Sequence, residues 1–166
     1  MADHFPLEIW VATVSRQDEE GSSVAGWGSL LLFGPFTKPI GGGAAGVTPT
    51  ELELTALIQT FGAVKRPVST VITIVSPSAP LDIPETLVRA RANGWKNDGG
   101  LEMLHADLWK RLDELLAPFD GLIKWNWVQS SGPSTSDGAY LVQARRKAEA
   151  ELAGELKKHK IGQAAQ

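Results

Sequence analysis

Val68-Ser69-Thr70-Val71-Ile72-Thr73-Ile74-Val75 is a run in which every residue except Ser69 is β-branched. Two heavy atoms on Cβ restrict χ1 and favour a pleated, extended backbone. No charged residue interrupts the run, as it would on a strand with one face in water. The stretch therefore reads as a strand buried on both faces, at the centre of a largely parallel sheet covered by helices.

Working outward toward the N-terminus, Thr50-Glu51-Leu52-Glu53 opens a helix in which Leu54, Leu57, Ile58 and Phe61 recur at helical spacing. Thr48 or Thr50 can cap it, and the acidic residues of the first turn favour its dipole. Leu7 to Val14 and Ala25 to Phe33 are apolar and β-prone, separated by a polar, Gly-containing loop suited to a hairpin. A third strand is expected from Pro35 to about Ala44, and Gly41, Gly42 and Gly43 place it at an edge. Toward the C-terminus, Pro77, Pro80 and Pro84 argue against a helix before Glu85. Helices are expected at Glu85 to Ala92 and Asp107 to Ala117, the second with a stripe of Leu108, Leu112, Leu115 and Leu116. Leu122 to Val128 reads as a strand, and Asp137 to Lys158 as a long final helix with Leu141, Ala144, Ala148 and Leu152 on one side. The order β-β-β-α-β-α-α-β-α predicts an α/β fold: a mixed sheet with helices on its faces.

The 166 residues, 43% of them hydrophobic, suit one domain with a real core, expected over 1–161 with a flexible end at 162–166. No apolar run approaches the roughly 20 residues of a membrane helix, and Met1 to Pro6 lacks the pattern of a signal peptide. The expectation is a cytoplasmic protein without membrane partners. The absence of cysteine removes disulfides, thiolate metal sites and a cysteine nucleophile. Net charge is −3, but from Gly138 onward six Lys/Arg face three Glu, whereas ten basic residues face sixteen acidic ones before it. An acidic body supplies little nonspecific attraction for nucleic acid.

Several segments are more specific than the element order. Leu7-Glu8-Ile9-Trp10, Gly26-Trp27-Gly28, Thr48 with Glu53-Leu54-Thr55-Ala56-Leu57, Gly94-Trp95-Lys96, Asp107 to Asp113 (DLWKRLD) and Ile123 to Val128 (IKWNWV) resemble, in order and spacing, segments of the type 1 ribonuclease H family. The resemblance covers about residues 7 to 153. It implies a ribonuclease H-like, five-stranded mixed sheet in the order 3-2-1-4-5 flanked by helices. It also implies an activity: cleavage of the RNA strand of an RNA–DNA hybrid by two Mg²⁺ held on a cluster of carboxylates.

Carried over by that resemblance, the four metal carboxylates fall on Ala12, Glu53, Ser76 and Leu141, so only Glu53 survives. Glu53 is then either a residual ligand or a first-turn glutamate favouring the helix dipole. Leu141, on the apolar stripe of the last helix, is expected to pack. Ser131 stands where the family carries a histidine that assists turnover. Asp18, Glu19, Glu20, Asp82, Glu85 and Asp137 are displaced from the lost positions, and one helical turn alone moves a carboxylate about 5 Å. They read as solvated loop residues, and His4, His105 and His159 as surface residues. Trp109, Trp125 and Trp127 read as core.

The resemblance also implies a nucleic-acid surface. Thr48 matches a residue that helps hold a DNA phosphate, although it serves equally as a helix cap. Arg89, Arg91, Trp95 and Lys96 fall in the region of the family's basic, aromatic protrusion, and their chemistry suits a nucleic-acid backbone. The basic tail, Arg145-Arg146-Lys147 and Lys157 to Lys160, suits nucleic acid or an acidic protein surface, or else a solvated helix end whose cations favour the dipole. The expectation is a catalytically inactive domain that binds nucleic acid or acts as a scaffold. It has no cofactor, or Mg²⁺ if a residual site exists, and its partner is an RNA–DNA hybrid or other duplex, held weakly, or a protein. The alternatives are an active ribonuclease with a rearranged metal site and a purely protein–protein module.

Overall fold

The computed structural model describes residues 6–18, 20–77, 81–129 and 138–164, with side chains as far as Lys158. Its strands are β1 (Leu7–Gln17), β2 (Ser23–Phe33), β3 (Phe36–Ala45), β4 (Thr70–Ser76) and β5 (Ile123–Gln129), and its helices are α1 (Pro49–Gly62), α2 (Ile83–Ala92), α3 (Ala106–Leu116) and α4 (Ala139–Ala164). The strands form one mixed sheet in the order β3-β2-β1-β4-β5. β1, β2 and β3 pair antiparallel in hairpin succession, while β4 runs parallel to both β1 and β5. The β-branched run is indeed a central parallel strand, and the glycine-rich strand is an edge.

Hydrophobic burial, the dominant favourable term in folding, takes two separate forms on the two faces. On one face, Ile9, Val11, Leu31, Ile72 and Ile74 join Leu54, Leu57 and Phe61 of α1 with Trp109 and Leu112 of α3 in the main core. Ser29 Oγ and Thr60 Oγ1, 2.6 Å apart, tie β2 to α1 inside it, and the Thr60 hydroxyl also donates to the Ala56 carbonyl at 2.6 Å. Both hydroxyls are thus satisfied where water cannot reach. On the other face α4 lies directly on the sheet. A Cβ on Gly26 would sit 2.3 Å from the Ala148 carbonyl oxygen, and one on Gly28 would sit 2.6 Å from that of Ala144. The absence of a side chain at these two positions lets helix and sheet backbones touch. Ala144 and Ala148 are small for the same reason.

Local chemistry adjusts several boundaries. Thr48, not Thr50, caps α1: its Oγ1 accepts the Glu51 N–H at 3.2 Å, while Glu51 Oε1 accepts the Thr48 N–H at 3.3 Å, a reciprocal capping box. α2 begins at Ile83, ahead of the expected Glu85, because Asp82 caps it and Pro84 falls in the first turn, where its missing N–H is not needed. In α3 the buried positions are Ala106, Trp109 and Leu112, whereas Leu108, Leu115 and Leu116 are half-buried. The expected α4 start, Asp137, lies outside the described residues, and the expected C-terminal end, 162–166, falls partly within α4 and partly outside them.

Candidate functional site

The four positions singled out in the sequence come together at one end of the sheet. Ala12 is the last β1 residue in register with β4, opposite Val75, and Ser76 is the last residue of β4. Side chains alternate between faces along a strand, so Val75 and Ser76 look opposite ways. Ala12 and Val75 pack with Leu141, Ala144 and Ala148 in a small apolar cluster flanked by Trp10 and Val14. Leu141 is 6% exposed and packs, as its spacing on the helix implied. On the other face the Ser76 hydroxyl donates to Glu53 Oε1.

Glu53 is 2% exposed and lies beyond the first turn of α1, whose acidic residue is Glu51, so it is a buried acid rather than a first-turn glutamate favouring the helix dipole. Burial raises its pKa from 4.5 to about 7, against the smaller opposing effect of the Ser76 hydrogen bond. Taking a carboxylate out of water disfavours its charged form, and one neutral hydroxyl donor compensates only in part. Near neutral pH the group is therefore divided between carboxylate and carboxylic acid.

The residues present do not fit a pair of Mg²⁺ ions. Mg²⁺ needs hard oxygen ligands in near-octahedral geometry, and the region offers one buried carboxyl, one hydroxyl and a hydrocarbon surface at Ala12, Val75 and Leu141. Among the described residues no group of three or more His, Asp or Glu side chains is placed to hold a metal. Asp82 is occupied as the α2 cap, and Asp18 accepts the backbone N–H groups of Glu20 and Ser22 in its own loop. Ser131, Glu19, Asp137, His4 and the His159 side chain lie outside the described residues.

The second set of positions is less concerted. Thr48 serves the capping box, with its Oγ1 3.5 Å from His105 Nε2. Arg89 and Arg91 lie two residues apart on α2, about 200° around the helix axis, so they do not form one patch. Arg91 Nε donates to Asp113 Oδ1 of α3 at 2.9 Å, whereas Arg89 is exposed. Trp95 is half-buried and packed against the main core instead of standing out as a stacking platform. Lys96 is exposed beside its bridge partner Glu102. Trp109 is core, while Trp125 and Trp127 are half-buried against it. Leu101 and Leu104, in the segment that follows, stand out in water, and nothing in their local sequence pattern separates them from core leucines.

Among known proteins, the chain is 36% identical over 104 residues to a ribonuclease H of Paracidovorax citrulli (strain AAC00-1), a match covering 63% of this chain and 70% of the relative. A ribonuclease H of Cupriavidus pinatubonensis (strain JMP 134 / LMG 1197) matches with the same identity and coverage. No protein-family model matches the chain. Among solved structures, LC9-RNase H1, described as a type 1 RNase H with the type 2 active-site motif, superposes with a TM-score of 0.69 at 16% identity, covering 93% of this chain and 75% of that one. The RNase H domain of PFV superposes with a TM-score of 0.63 at 14% identity, covering 93% and 96%. A foamy viral protease-reverse transcriptase in complex with an RNA/DNA hybrid gives 0.63 at 16% identity, covering 89% of this chain and 20% of that one.

Proposed function

Because this chain belongs to the ribonuclease H family, we propose that it is a ribonuclease H-like domain that has lost hybrid cleavage and serves as a nucleic-acid-binding or scaffold module. The observation that carries this reading is the apolar cluster of Ala12, Val75, Leu141, Ala144 and Ala148 where the family's resemblance implies metal carboxylates. Two divalent ions brought to this end of the sheet would find a single buried carboxyl, that of Glu53 on the opposite face from the cluster, and would have to give up water for hydrocarbon. Mg²⁺ dehydrates reluctantly, so the expected occupancy is negligible at cellular Mg²⁺.

Two of the candidate binding residues, Arg89 and Lys96, are exposed cations, whereas Thr48 is engaged in the capping box with Glu51, whose carboxylate opposes phosphate there. Arg91 and Trp95 would contribute less to a duplex, the first shared with Asp113 and the second packed inward. This division supports weak retention of a hybrid rather than turnover of one.

The test is hybrid cleavage by the full chain with Mg²⁺ and separately with Mn²⁺, beside its Glu53→Gln variant. No specific cleavage by either protein is expected. Metal-dependent cleavage that disappears in Glu53→Gln would establish an active enzyme with a rearranged site. Absence of both cleavage and hybrid binding at low salt would leave a protein–protein module.

A further inference from the structure

The segment between α2 and α3 folds as a closed turn built around Asn97. Its Oδ1 accepts the N–H groups of Gly99 at 2.9 Å and Leu101 at 3.1 Å, and its own N–H donates to the Leu101 carbonyl at 2.7 Å. Lys96 and Glu102 pair as an antiparallel bridge, and the Met103 N–H donates to the Trp95 carbonyl at 3.0 Å. The base is fixed by Trp95, which packs against the core. At its far end His105 takes a left-handed backbone, φ 60°, and leads into α3.

Along this hydrogen-bonded segment Leu101 and Leu104 stand out in water, 72% and 77% exposed. Single exposed leucines are ordinary on protein surfaces, but Leu101 closes the Asn97 turn and Leu104 lies three residues on, in the next turn, closed by the Ala106 N–H on the Met103 carbonyl at 3.2 Å. Beside Leu104 opens a cleft of about 530 Å³ whose lining includes Glu51, Glu102, His105, Asp107 and Leu108. Residues 94–107 carry Asp98, Glu102 and Asp107 against one lysine, Lys96. Carboxylates around the cleft repel phosphate and favour an ammonium or guanidinium group, so charge selects the occupant.

We propose that this turn and its cleft form a docking site for a basic, apolar peptide segment of a partner protein. Apolar side chains of the segment cover Leu101 and Leu104, and a Lys or Arg enters the cleft toward Glu102, Asp107 and the free side of Glu51. The turn is already ordered, so little conformational freedom is lost on binding. The site does not use Glu53 and stands whether or not the domain cleaves a hybrid, but it adjoins Thr48 and Lys96, so a hybrid held there and the peptide would compete.

The experiment is fluorescence anisotropy with the full chain and three labelled probe peptides: one alternating Leu and Lys, one alternating Leu and Glu, and one alternating Gln and Lys. Only the Leu/Lys peptide is expected to bind tightly. Leu101→Ser combined with Leu104→Ser should weaken it about tenfold or more, and Glu102→Gln combined with Asp107→Asn should weaken it and flatten its salt dependence. Amide shifts of the wild-type chain on peptide addition should concentrate at 97–108, a reading that does not depend on a variant folding. No binding of the Leu/Lys peptide, binding unchanged by the leucine pair, equal binding of Leu/Glu, or shifts elsewhere would each overturn the proposal. Self-association of the wild type that the leucine substitutions abolish would also overturn it, in favour of a contact between copies.

Discussion

Glu53 is an acid held where water is scarce, with a hydroxyl from Ser76 as its named donor. Its pKa, raised from 4.5 to about 7, makes a direct statement about stability. Between those values the unfolded chain has released the proton while the folded chain keeps it, so the folded state loses stability as pH rises. The cost is absent below about pH 4.5 and fully developed above about pH 7, and it amounts to roughly 3 kcal/mol. Glu53→Gln removes the titration. The difference in unfolding free energy between variant and wild type is therefore expected to shift in the variant's favour from pH 5 to pH 8, as followed by denaturant melts at both pH values. A difference independent of pH would mean that Glu53 is ionised and solvated. Glu53 was ambiguous in the sequence because a helix opening at Thr50 would put it in the first turn, where a dipole argument suffices; Thr48 caps α1 and leaves Glu51 in that turn, and contact with β4 reveals the desolvation.

At the scale of the element, α4 is the helix whose backbone meets the sheet directly. Leu141, Ala144, Ala148 and Leu152 are all buried, and the helix rests on Gly26 and Gly28 with backbone against backbone. Such close contact leaves no slack for a charged group. Leu141→Asp would place a carboxylate against Ala12 and Val75 with no cation in the apolar cluster. Burying it unpaired costs several kcal/mol, or leaves it protonated and poorly packed. The expected result is a melting temperature lower by several degrees, measured at pH 7, with part of the loss recovered at acidic pH as the new group takes up a proton. An unchanged melting temperature would mean that Leu141 borders an open cleft. By contrast α2 and α3 keep polar outer faces joined by the Arg91–Asp113 ion pair, 2.9 Å long and half exposed, which contributes at most about 1 kcal/mol.

For the whole molecule, charge distribution limits what can be bound. The described residues hold no helix long and apolar enough to cross a membrane. Acidic residues outnumber basic ones before Gly138, and the basic excess is confined to α4 and the residues after it. If a hybrid is retained through Arg89 and Lys96, two cations displace counterions, and the logarithm of affinity should fall with the logarithm of salt at a slope of about −2. Arg89→Ala with Lys96→Ala should then flatten that slope and remove most of the binding. A steeper slope that survives this change but is lost on neutralising Lys157, Lys158 and Lys160 would place binding on the basic tail.

The sequence by itself determined the strand and helix order, the central position of Val68 to Val75, the edge position of the glycine-rich strand and the family resemblance that singled out Ala12, Glu53, Ser76 and Leu141. These rest on local signals, namely β-branching, helical spacing and residue identity at matched positions, and such signals need no knowledge of distant neighbours. Only the tertiary structure decided that Glu53 is desolvated by its place against β4, that Arg91 is engaged by Asp113, that Trp95 turns inward, and that Leu101 and Leu104 turn outward. Burial and pairing depend on which residues meet across 20 or more positions of chain, and periodicity within one element does not carry that information.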